Sequence, residues 1–83
     1  MKQKGAMIFW IDETFDIQSE FIPSYQLKEG ATYSSEANWI TGHAEHVVIL
    51  LSDRLGIPHE MERVEQLKSK AMELKQKSSN QGA

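Results

Sequence analysis

"VVILLSDRLGIPHEMERVEQLK" (residues 47–68) decides the fold. Its first five residues are apolar nearly all round. That fits either a well-buried helix or a buried strand, and periodicity alone does not separate the two. The Gly56 stop after "SDRL" favours a helix, because glycine just past a helix end adopts the left-handed conformation at little cost. Pro58 then opens a second helix, since its missing N–H is not needed in a first turn.

Working backward, a helix entered at Ser34 or Ser35 and ending at Leu55 places Ile40, Ala44, Val47, Val48, Leu51 and Leu55 on one face. Gly42 interrupts it at about 1 kcal/mol relative to alanine, so Thr41 is an alternative cap for a shorter helix. Working forward, the helix from Pro58 to about Lys77 spaces Val64, Leu67, Ala71 and Leu74 by three, four and three, with Ile57 one heptad before Val64. Met61 and Met72 widen the stripe. Its acids come early and its lysines late, matching the partial charges of the helix ends, and Glu73 with Lys77 adds an i,i+4 pair. "SSNQGA" (78–83) is expected to be a disordered tail.

The first third reads differently. "AMIFWID" (6–12) is rich in β-branched and aromatic residues, a strand signal. "FDIQSEFI" (15–22) alternates, with Phe15, Ile17 and Phe21 on one side and Asp16, Gln18 and Glu20 on the other. The intervening "DET" turns the chain into a hairpin without a glycine to pin the turn type; a short helix over 14–22 is the alternative. Pro23 ends this element, and "SYQLKEGATY" (24–33) supplies a third, weaker strand or an irregular link. The expected fold is α+β: a small antiparallel β-sheet of two or three strands from the N-terminal third, then two packed α-helices, in one domain over 1–77.

Eighty-three residues are too few for two independent cores. With no cysteine, disulfides and thiolate metal sites are excluded. No apolar run approaches a membrane span, and the short apolar stretch near the start is too brief for a signal peptide. A cytoplasmic protein is expected. The net charge of -3 does not point to a polyanion partner.

The turn at Gly56 raises a helix-turn-helix reading, with "HEMERVEQLK" as recognition helix. Electrostatics oppose it: His59, Glu60, Glu62, Arg63 and Glu65 would meet the bases, and three carboxylates facing a polyanion work against counterion release. An αα-hairpin is the preferred reading. His43 and His46 lie three apart and are weak metal candidates, lacking the zinc-protease spacing and its glutamate. A packed His43 hydrogen-bonded to a neighbour, with His46 at the rim, is the preferred reading. No catalytic nucleophile arrangement and no glycine-rich phosphate loop is present, so neither an enzyme nor a cofactor is expected.

What remains is a non-enzymatic protein-interaction or regulatory module that self-associates, with a protein partner that includes itself. Size and composition suit an accessory protein of a bacterium or its virus. The expected interface is helix 58–77 against its twin, with Val64, Leu67, Ala71 and Leu74 at the seam, Met61 beside it, and Trp10 as an aromatic needing cover. Packing of the same stripe within the chain is the competing expectation. Alternatives are a helix-turn-helix-like nucleic-acid binder and an acidic nucleic-acid mimic, whose Asp12, Glu13, Asp16 and Glu20 would imitate a phosphate row.

Overall fold

The computed structural model describes residues 4–81. The chain runs β1 (Gly5–Ile11), β2 (Ile17–Pro23), α1 (Tyr33–Thr41), β3 (Val47–Leu51) and α2 (Pro58–Gln81), with 3₁₀ turns at Ser24–Gln26 and Ser52–Arg54. The three strands form one antiparallel sheet in the order β2-β1-β3. The fold is α+β, as the pattern of elements suggested. Four details differ from the expected arrangement.

The apolar run at 47–51 is a strand, not the end of a long helix. Its β-branched residues occupy both faces of the sheet, and both faces are covered. Val48 and Leu50 join Val64, Leu67 and Ala71 of α2, while Val47 and Ile49 pack toward Ile8 and Ala37 on the α1 side. A strand covered on both sides reads as a continuous apolar run, which mimics a buried helix. The third strand therefore comes from 47–51, and the 24–33 segment is a 3₁₀ turn and link.

The first helix is correspondingly short. Thr32 caps it in a reciprocal box with Ser35: the Ser35 amide donates to Thr32 Oγ1 and the Thr32 amide donates to Ser35 Oγ, each at 3.0 Å. Gly42, at φ 66°, ends it. The glycine that counted as an interruption is its C-terminal stop.

The two helices do not form a hairpin; they lie on opposite faces of the sheet. Ile8, Trp10 and Ile22 pack with Tyr33, Ala37 and Ile40 of α1, and Phe9 and Ile11 pack with Met61, Val64, Leu67 and Leu74 of α2. Phe9 and Trp10, which point to opposite sides, each find cover within the chain. Ala37 and Ile8, 1 % and 0 % exposed, mark where α1 closes onto the central strand. At the other end of that strand, a Cβ on Gly5 would collide with the Ile22 carbonyl oxygen. The expected tail overlaps α2, which runs to Gln81; residues 82–83 lie outside the described residues.

The β1–β2 hairpin turns without glycine. The Asp12 amide donates to the Asp16 carbonyl at 2.9 Å and the Phe15 amide to the Asp12 carbonyl at 3.0 Å, with Phe15 at φ 65°. This is the three-residue hairpin loop whose last position is left-handed. Phenylalanine holds that position because its ring packs on the α2-side core.

Candidate functional site

The sheet has two open edges, and they differ in kind. The Ile11 amide donates to the His46 carbonyl at 3.2 Å, which makes Ile11–His46 a hydrogen-bonded pair. In an antiparallel ladder such pairs alternate with pairs whose groups point away. In β3, therefore, Val48 and Leu50 direct their N–H and C=O toward β1. Val47, Ile49 and Leu51 direct theirs outward. Among the described residues no strand pairs with that side. The strand itself carries no charge, and Leu51 is 43 % exposed.

The same reasoning from the Asp12–Asp16 pair gives β2 an outward row of Ile17, Ser19 and Phe21 that ends at Pro23, which has no N–H. The exposed Glu20 sits within that strand. A proline and a side-chain charge are ordinary guards of an edge strand. β3 has neither.

The acids of the hairpin do not form a row. Asp12 is held at the tip, its carboxylate accepting from the Thr14 hydroxyl at 2.7 Å, Gln18 Nε2 at 2.8 Å, the Thr14 amide at 2.9 Å and the Asp16 amide at 3.0 Å. Those donors, the Thr14 hydroxyl first, keep it well below the usual carboxylate range. Asp16 is lowered as well, chiefly by Lys75, whose Nζ donates to it at 2.6 Å and ties the hairpin tip to α2.

The expected seam residues Val64, Leu67 and Ala71 are 3 %, 6 % and 5 % exposed against the chain's own sheet. Leu74 and Met61 are partly buried beside them, and Trp10 is half-buried against α1. Met72 does not widen this stripe; it is exposed. His43 is an exposed loop residue at φ 62° and His46 leads into β3, so the two do not share a helix as their spacing suggested. Among the described residues no three His, Asp or Glu side chains are grouped to hold a metal ion. "LSDRLGIP" is a strand end, a 3₁₀ turn and the start of α2, so it does not supply the first helix of a helix-turn-helix. Glu60, at the front of α2, faces Arg63 at 3.2 Å and Arg54 at 3.5 Å. No described helix is long and apolar enough to cross a membrane.

The open edge of β3 was not evident from sequence. Its signal was present in the five-residue, charge-free, β-branched run bounded by polar turns. No family model matches this chain, and no curated protein or solved structure is significantly similar to it.

Proposed function

We propose that this chain is a small non-enzymatic interaction module that self-associates through the open edge of β3, rather than through the α2 seam. The observation carrying this reading is the outward row of Val47, Ile49 and Leu51 backbone groups on an uncharged apolar strand. Such an edge is a template for another strand, and an identical copy supplies one with matching apolar side chains.

Symmetry narrows the register. A two-fold axis normal to the sheet keeps each face on its own side, so a residue of one copy meets a residue of like parity in the other. Pairing centred on Ile49 sets Ile49 against Ile49 and Val47 against Leu51. It uses all three outward residues of each strand, for roughly six hydrogen bonds. The half-exposed Leu51 side chain is then covered beside Val47.

Leu51→Pro is the discriminating variant. Leu51 already has φ −65° and ψ 149°, which proline adopts without strain, and its N–H points outward. Light scattering after size exclusion is expected to give a concentration-dependent dimer for the wild type. Leu51→Pro is expected to be monomeric with an unchanged circular-dichroism spectrum. A wild type that stays monomeric at its highest soluble concentration contradicts the proposal, as does a Leu51→Pro dimer of equal strength.

A further inference from the structure

We infer that the groove between Trp10 and Trp39 is a docking site for an arginine-bearing segment of a partner protein. The groove, about 520 Å³ in volume, lies where the end of β1 meets the end of α1. Asp12 and Glu13 stand on one side, and Trp39 through Gly42 on the other. None of its lining residues belongs to β3, and the peptide test below does not depend on self-association.

Three independent features make the groove attractive to a cation. The first is fixed negative charge. Asp12 is anchored by neutral donors only, and among the described residues neither Asp12 nor Glu13 has an ion-pair partner within 4.0 Å. Asp16, two residues after Thr14, is by contrast paired with Lys75. The second is the end of α1. Helix C-termini carry partial negative charge that a basic residue in the last turn commonly offsets, and α1 has none there. The third is the aromatic wall. Trp39 is 82 % exposed on a helix whose inward positions are Tyr33, Ala37 and Ile40, so the fold does not use its ring.

The distribution of cations sharpens the point. No Lys or Arg occurs from Gly5 to Leu27 or from Glu29 to Asp53, stretches that contain every strand and α1. The basic residues Arg63, Lys68, Lys70, Lys75 and Lys77 all lie on α2, across the sheet. Among the described residues, no Lys or Arg lies on β1 or α1, the two elements whose ends form the groove.

Guanidinium fits this set better than ammonium. Its plane stacks on an indole face while its edge donates two parallel hydrogen bonds to a carboxylate. Glu13 is exposed and supplies that carboxylate, while Asp12 adds a second, anchored charge to the lining.

Both tryptophans of the chain line the groove, so intrinsic fluorescence reports on it directly. The probe is a capped tetra-arginine peptide, compared with tetra-lysine and tetra-glutamate at low salt. Tetra-arginine is expected to produce a saturable change in tryptophan emission. Tetra-lysine should bind more weakly and tetra-glutamate not at all, and the arginine affinity should fall as salt rises from about 50 to 300 mM. Binding by Trp39→Ala, followed calorimetrically, is expected to be at least about fivefold weaker. Because Trp39 is exposed, that variant should keep the wild-type far-ultraviolet spectrum. Absence of a saturable change, equal affinity for lysine and arginine, or undiminished binding by a folded Trp39→Ala would each overturn the inference.

Discussion

Leu67→Ala separates the two destinies of the α2 stripe. Leu67 is 6 % exposed and belongs to the cluster of Ile11, Val48 and Leu50 on the sheet with Val64 and Ala71 on the helix. Truncation to alanine loses the transfer free energy of the removed carbons and leaves a cavity that only partly collapses; such buried leucines cost about 2–5 kcal/mol. A middle value of about 3 kcal/mol is a large share of the roughly 4–12 kcal/mol expected for a chain of this length. An unfolding entropy near 2.1 cal/mol/K per residue turns it into a fall in Tm of about 15–20 °C. Urea denaturation followed by circular dichroism is the assay. The midpoint should drop with the slope m unchanged, because the surface exposed on unfolding is almost the same. The loss should not depend on protein concentration. Met72→Ala, on the same helix but exposed, should stay within about 0.5 kcal/mol of wild type. A Leu67→Ala loss below about 1 kcal/mol, together with a shift from dimer to monomer, would mean that the stripe faces a second copy rather than the chain's own sheet.

Other consequences follow from the same packing. Gly5→Ala puts a Cβ against the Ile22 carbonyl oxygen in the β1–β2 ladder, so a destabilisation of about 1–3 kcal/mol is expected in thermal melts. His43→Gly relieves a left-handed backbone at φ 62° with an exposed side chain, and should raise stability by about 0.5–1 kcal/mol in the same measurement. Asp12 and Asp16 have folded-state pKa values below those of an unfolded chain, so their stabilisation is complete above the ordinary aspartate range. It is lost as pH falls below about 4. Melts across that window should show Asp12→Asn less stable at neutral pH and less sensitive to acid; parallel curves for variant and wild type would remove Asp12 from the hairpin's stability.

The parts of the fold that sequence disclosed are those with a one-sided environment. β2 alternates because one of its faces is largely wet, and α2 shows a clean stripe because only one of its faces meets the sheet. β3 was misread because it is covered on both faces, which erases the alternation that marks a strand. Gly42 was legible as a breaker, but its meaning as a stop depended on rejecting the longer helix. Phe15 illustrates another limit: a left-handed turn position filled by a core phenylalanine carries no local signature. The candidate sites were harder still. Trp39 and Glu13 lie twenty-six positions apart and meet only through the packing of α1 beside the end of β1. The direction of the β3 backbone groups depends on ladder phase, which no side-chain pattern encodes. The seam residues Val64, Leu67 and Ala71 are covered by the chain's own sheet, a destination that the stripe alone does not distinguish from a second copy.

Amide hydrogen exchange along β3, measured at low and high protein concentration, tests the self-pairing edge most directly. Val48 and Leu50 donate toward β1 and should be protected at every concentration. Val47, Ile49 and Leu51 should exchange quickly in dilute solution and become protected as concentration rises, with Leu51→Pro abolishing the gain at Val47 and Ile49. Outward amides that exchange quickly at all concentrations would contradict the proposed association.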